Sequence, residues 1–101
     1  MKPRLTFEEH LEMGLTLASM RDELIKRGTQ LAGAYPKSGQ QGIPAKRLRA
    51  ALEALDEARC ELDHLMFQEH PQEGTTQVYY PPAEDRVPFR GVHHGRPVVG
   101  D

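Results

Sequence analysis

The chain has 101 residues, of which 38% are hydrophobic and 28% are charged, and its formal net charge is −2. This length allows one small domain, and an apolar fraction below the usual range leaves little material for a core. The net charge alone favours neither nucleic acid nor a membrane surface as a partner. The single cysteine excludes an internal disulfide and a cysteine-based zinc site within one chain.

The amino-terminal residues lack the apolar stretch of a secretory signal. No segment approaches the roughly 18 consecutive apolar residues that a membrane-spanning helix needs. We therefore expect a cytoplasmic protein that does not enter a membrane.

The first predicted element is a helix over residues 6–35. Thr6 and Glu9 have the spacing of a capping box, which predicts that the helix begins there. Apolar residues then recur at helical spacing as far as Tyr35. Pro36 disfavours helical backbone at the residue before it, so the helix should end at this point.

A loop and a second helix follow. Residues 36–43 contain the Pro, Gly and Ser that are typical of a loop. Pro44 suits the first turn of a helix over 44–70, which Pro71 should end. Because a short loop makes long helices antiparallel neighbours, residues 1–70 are predicted to form a two-helix hairpin.

The composition changes in residues 71–101, which contain five Pro and four Gly. This composition predicts an extended or partly disordered tail. Its aromatic residues Tyr79, Tyr80 and Phe89 are our candidates for contact with a protein partner. Residues 76–80 have the composition of a short strand, although two prolines follow directly.

The apolar surface of the first helix covers about half of its circumference, whereas a helix facing one neighbour needs roughly 100°. This width predicts an all-α protein in which two hairpins dimerise into a four-helix bundle. Coverage by the tail is the alternative. Gly14 and Gly28 lie near the middle of the apolar stripe and predict close approach of another helix, with a bend or an early end of the helix at Gly28 as the alternative.

Charge is unevenly distributed along the hairpin. Between Glu23 and Glu53 all charged residues are basic, whereas the second half of the second helix is mostly acidic. In an antiparallel dimer, the basic tip of one hairpin would lie beside the acidic base of the other. The alternative is anion or nucleic-acid binding at the tip by four residues: Lys37, Lys46, Arg47 and Arg49.

Two arginines fall on the apolar stripes of their helices. Arg59 has Asp56 and Asp63 at distances of three and four residues, which predicts pairing within the helix. Arg21 has no acid at these spacings, so we expect it to reach a carboxylate of the second helix.

A metal site is the weakest of the alternatives. Glu61 and His64 match the Glu-x-x-His spacing of ferritin-like bundles, and Glu23 lies at a similar height on the first helix. However, Glu61 and His64 fall on the polar side of their helix, whereas such ligands point inward. We expect no cofactor. The adjacent His93 and His94 are interpreted as part of a solvated tail.

No nucleophile, phosphate-binding or metalloprotease motif occurs in the sequence. The leading interpretation is a non-enzymatic interaction protein that self-associates and binds an unidentified protein partner through its tail. Nucleic-acid or phosphate binding at the tip is the second interpretation, and a metal-carboxylate oligomer is the third.

Overall fold

The computed structural model describes residues 3–86 as two long helices and a segment that folds back on them. Helix α1 spans Phe7–Ala34 and helix α2 spans Ile43–Glu69. The helices are antiparallel, because the start of α1 contacts the end of α2. No strand occurs within residues 3–86. The predicted all-α hairpin is confirmed for this part of the chain.

The two ends of helix α1 are set by the capping residues and the proline, as the sequence predicts. The Thr6 hydroxyl accepts a hydrogen bond from the Glu9 amide at 3.0 Å, and the Glu9 carboxylate accepts one from the Thr6 amide at 2.8 Å. This reciprocal pair satisfies two amides that a helix start leaves free. At the other end Tyr35 is extended, as the following proline requires.

The turn between the helices depends on glycine. Gly39 has a φ of +78°, which an L side chain rarely adopts. A Cβ atom at Gly42 would collide with the carbonyl group of Lys37. A short 3₁₀ turn over Gln40–Gly42 leads directly into α2, whose first turn contains Pro44 as predicted. The hairpin is therefore closed tightly at its tip.

Residues 71–86 fold over the end of the hairpin that lies opposite the turn, instead of extending into solvent. Residues 76–79 form consecutive turns, and the backbone amides of Val78 and Tyr80 donate to the carbonyl oxygens of Thr75 and Thr76. The interpretation of residues 76–80 as a strand is wrong, because their backbone is bonded locally and Val78 and Tyr79 are both buried. Alternation in a strand would place those two side chains on opposite faces.

The buried core lies where this segment meets both helices. Met66 of α2 packs with Val78 and Tyr79, and all three are at most 2% exposed. Four partly buried apolar side chains surround them: Phe7, Leu17, Leu62 and Phe67. The core is therefore made by three segments of chain, not by two helices alone.

We call residues 5–20 and 57–86 the base half, and residues 21–56 the tip half. Nine residues are buried in the base half, whereas Gly42 is the only buried residue of the tip half. The leucines between the helices in the tip half remain partly accessible to solvent. The base half therefore has a buried core, whereas the apolar side chains of the tip half remain accessible to solvent.

Candidate interaction surfaces

The side chain of Tyr79 anchors the folded-back segment. It is fully buried, and its hydroxyl oxygen lies 2.6 Å from Nδ1 of His10, which is also fully buried. Burial, followed by the nearby carboxylates of Asp63 and Glu69, raises the pKa of Tyr79 to about 12. The phenol therefore stays neutral and serves as a hydrogen-bonding group inside the base half.

Arg59 holds the backbone of the same segment. Its Nη2 donates to the carbonyl oxygen of Tyr79 at 2.7 Å, and its guanidinium group lies 4.6 Å from the centroid of the Tyr80 ring. Its Nη1 donates to Oδ1 of Asp56 at 3.2 Å, so the predicted pairing within α2 is present. The contacts with the folded-back segment were not predicted, because no local spacing connects Arg59 with residues 20 positions later.

Arg21 pairs across the hairpin as expected. Its Nε donates to the same Asp56 oxygen at 2.8 Å. Asp56 therefore links an arginine of α1 to an arginine of its own helix. Two positive charges on one carboxylate form a small network at the boundary between the base and tip halves. Arg86 adds a 3.3 Å ion pair with Asp22 beside it.

The tail residues proposed for partner contact differ in accessibility. Tyr79 has no exposed surface in this conformation, whereas Tyr80 is 44% exposed although it stacks against Arg59. Phe89 lies outside the described residues. Partner binding through these three residues stays a prediction, and of the two that the structure describes, Tyr80 presents an accessible ring.

The two glycines of the α1 stripe have different surroundings. A Cβ atom at Gly14 would collide with the carbonyl oxygen of Val78, so Gly14 permits close approach of the folded-back segment. No atom lies within 4 Å of a Cβ atom at Gly28. Close approach was therefore predicted correctly at Gly14, although the neighbour is not a helix. Close packing at Gly28 is not found within the described chain, and α1 continues through this residue without stopping.

An apolar groove of about 200 Å³ runs between the helices of the tip half. Its larger apolar lining residues are Leu24, Ile25, Leu48 and Leu52. Small residues, including Gly28 and Ala45, keep it shallow and open. Ile25 is 40% exposed, and no part of the described chain covers the groove. This groove is one part of the predicted apolar arc that remains open, and Leu11 of the same arc is 38% exposed in the base half.

Three of the four basic tip residues line a common pocket of about 170 Å³. These are Lys37, Lys46 and Arg49, and the Tyr35 side chain contributes to the same pocket. None of the three cations forms a salt bridge within residues 3–86. Arg47 is exposed but does not line the pocket. The structure thus groups three of the predicted anion-binding residues and separates the fourth.

The described residues contain one group with the composition and spacing for a metal ion, and it differs from the predicted one. Ligand atoms of His10, Glu69 and His70 lie within 4.8 Å of one another. Nε2 of His10 is 3.3 Å from Oε1 of Glu69. Nε2 of His70 donates to the carbonyl oxygen of Leu5 at 3.0 Å, and the two imidazole rings meet edge to face.

The residues predicted as metal ligands lie elsewhere. Glu61 and His64 are exposed on α2, and Glu23 accepts a 2.7 Å hydrogen bond from Arg27. A ligand spacing of i and i+3 describes residues of one helix, so it does not reveal ligands that the hairpin brings together from two helices. The available signal was positional: His10 near the start of α1 and His70 just after α2 are neighbours in any antiparallel hairpin with these boundaries.

No protein-family model matches the chain, and neither the curated proteins nor the solved structures gave a match. Within the described residues, neither helix combines the length and the apolar character required to cross a lipid bilayer.

Proposed function

We propose that this chain is a small non-enzymatic interaction protein that self-associates through the apolar groove of its tip half. The observation that supports this proposal most strongly is that the tip half, unlike the base half, has no buried core and leaves an apolar groove open between its helices. Apolar side chains that one chain leaves open are commonly covered by a partner. A second copy provides a surface of matching chemistry and makes a four-helix arrangement.

The energetics favour a concentration-dependent dimer. Completing the burial of a half-exposed Leu or Ile side chain contributes roughly 1 kcal/mol. Only Ile25 is exposed to about that degree, and Leu24, Leu48 and Leu52 are less exposed, so these side chains of two copies contribute at most about 8 kcal/mol. The loss of translational and rotational freedom costs about 4–15 kcal/mol, so only the lower part of that range would be offset by these side chains. Further contacts around the groove must contribute to a stable pair.

Charge supplies such contacts and favours an antiparallel arrangement. The four basic residues nearest the turn form no salt bridge with the described part of their own chain: Lys37, Lys46, Arg47 and Arg49. Acidic residues stand on α2 near the middle of the hairpin, among them Glu53 and Glu57, and both are exposed. When two tip halves overlap in opposite directions, the basic tip of each copy lies beside the acids of the other. Such pairs mainly set orientation and weaken as ionic strength rises.

Light scattering after size exclusion tests this proposal, at several protein concentrations and at low and high salt. We expect a dimer that dissociates on dilution and more readily at high salt. Ile25→Glu should give a monomer, because it places a charge in the groove. Met13→Glu is the matched control, since Met13 is a similarly exposed residue of α1 that lies outside this groove. A monomer at every concentration, or equal effects of both variants, would refute self-association through the groove.

Anion binding by the tip pocket is a second candidate function. It is favoured by the convergence of Lys37, Lys46 and Arg49 on one pocket beside the first turn of α2. The mixture of basic side chains with the Tyr35 ring suits a phosphate or a nucleic-acid backbone with a stacked base. Arg49 lines this pocket and also borders the apolar groove, whereas the equally basic Arg47 lines neither.

A salt-dependent binding assay with a single-stranded oligonucleotide tests the second candidate. Arg49→Glu should abolish retention, whereas Arg47→Glu should reduce it much less, because Arg47 does not line the pocket. Affinity should fall steeply with salt. No retention at low salt, or identical losses in the two variants, would remove the pocket as a binding site.

A further inference from the structure

The base half contains a second feature that self-association does not explain, namely the group formed by His10, Glu69 and His70. We propose that these three residues bind a divalent transition-metal ion of the zinc type. Two imidazoles and one carboxylate are a ligand set that binds zinc in proteins, with water available for the fourth position. The inference is independent of the groove in the tip half.

The spacing of the ligand atoms fits a small tetrahedral ion. Nε2 of His10 and Oε1 of Glu69 are 3.3 Å apart. Metal–ligand distances of about 2.0–2.1 Å in a tetrahedral site place two ligands about 3.3–3.4 Å apart. The ligand atoms of all three residues lie within 4.8 Å of one another. A modest side-chain rotation would therefore bring all three within bonding distance of one ion.

Each imidazole is already held by an outer partner. Nδ1 of His10 contacts the hydroxyl of Tyr79 at 2.6 Å, and Nε2 of His70 donates to the carbonyl oxygen of Leu5. Metal-binding histidines commonly have their second ring nitrogen fixed in this way, which sets the tautomer and the ring orientation. Nε2 of His10 and Nδ1 of His70 remain to bind a metal ion, and Oε1 of Glu73 lies 3.5 Å from Nδ1 of His70.

The phenol of Tyr79 accommodates the proton rearrangement that metal binding requires. When the His10 ring is neutral and no metal is bound, the hydroxyl donates to Nδ1, and Nε2–H donates to the Glu69 carboxylate, which can only accept. With metal on Nε2, the imidazole proton stands on Nδ1 and the Tyr79 oxygen accepts it. A hydroxyl is both donor and acceptor, so the neutral imidazole keeps a partner in both states and no net proton is lost.

The position of the site predicts its structural effect. The side chain of His10 is fully buried, whereas those of Glu69 and His70 are 15% and 20% exposed, so an ion can enter from one side. Its ligands come from the start of α1 and the end of α2, and Tyr79 connects them to the folded-back segment. Metal binding should therefore stabilise the base half, since a ligand that binds only the folded state raises its stability.

The test is titration of the chelator-treated full chain with Zn²⁺ by calorimetry, together with thermal unfolding and the visible spectrum after addition of Co²⁺. We expect one ion per chain, a higher Tm and a Co²⁺ spectrum of the intense tetrahedral type. Glu69→Gln and His70→Asn should each lower the affinity for Zn²⁺ at least tenfold, because each removes a ligand. Far-UV circular dichroism without metal establishes that these variants are folded.

Two sets of control variants identify the site. Glu61→Gln with His64→Asn alters the exposed alternative on α2, and His93→Asn with His94→Asn alters the adjacent histidines of the tail. Both controls should keep the wild-type affinity. Loss of binding in either control, retention of binding in Glu69→Gln and His70→Asn, or absence of stoichiometric Zn²⁺ binding by the wild type would overturn the proposal. If the ligand variants fail to fold, an octahedral Co²⁺ spectrum of the wild type would overturn it.

Discussion

The base half and the tip half use the same two amphipathic helices, but only the base half has a buried core. The difference is made by residues 71–86, which place Val78 and Tyr79 over the helices at the base. At the tip the same kind of apolar surface faces solvent, with Ile25 at 40% and Tyr35 at 47% exposure. Two helices alone leave their outer apolar arcs open, and a third segment is needed to enclose them.

The comparison predicts that equivalent truncations have very different costs in the two halves. Tyr79→Ala should lower the free energy of unfolding by about 3–5 kcal/mol, because a fully buried aromatic ring and a buried hydrogen bond are both lost. For a domain of this size that loss is a large share of the total stability. Urea denaturation followed by circular dichroism measures the change.

Tyr35→Ala is the matched control at the tip, since the Tyr35 side chain is about half exposed. It should change the free energy of unfolding by no more than about 0.5 kcal/mol when the protein is dilute and monomeric. Similar losses for the two tyrosines would mean that the tip half is as well packed as the base half. The distinction between the halves would then be wrong.

The two glycines of α1 extend the comparison, because substitution by alanine should change the free energy of unfolding in opposite directions at the two positions. Gly14→Ala should be destabilising by about 1–3 kcal/mol, since its Cβ atom would displace the backbone at Val78. Gly28→Ala should be stabilising by up to about 1 kcal/mol, because alanine is the better helix former and the space is open. Thermal unfolding of the two variants side by side decides the matter, and a stabilising Gly14→Ala would show that residues 71–86 do not pack there.

The local elements of the fold were predictable from the sequence because their determinants are local. Thr6 and Glu9 define the start of α1, and the observed helix bounds differ from the predicted ones by one residue at each end. The pairing of Arg21 with a carboxylate of α2 was also predictable, since an arginine on an apolar stripe without a local acid must find a distant one. Each of these inferences needed only spacing along one helix or the antiparallel arrangement.

The course of residues 71–86 was not predictable in the same way. Their composition is typical of extended chain, and the two residues that dock, Val78 and Tyr79, are adjacent and so have no periodicity. His10 and Arg59 form the hydrogen bonds that bind this segment. In the sequence they are recognisable only as polar residues among apolar ones. Docking of this kind depends on complementarity between distant surfaces, which a single sequence does not reveal. The metal-ligating candidates were missed for a different reason, because the predicted ligand spacing lay within one helix, whereas His10 and His70 lie on opposite arms of the hairpin.

A further expected effect concerns the pH dependence of the base half. The folded-state pKa of Tyr79 is raised from its ordinary value of 10.0 to about 12. Folding therefore favours the protonated phenol, and its contribution to stability is complete below pH 10 and lost as the pH rises towards 12. In metal-free buffer, the wild type should lose stability over this interval more steeply than Tyr79→Phe, which keeps the ring and removes the ionisable group. Tyr35→Phe at the tip should follow the wild type. If Tyr79→Phe and the wild type have parallel stability profiles from pH 9 to pH 12, the phenol does not titrate from a buried position, and the base half is more open than its packing indicates.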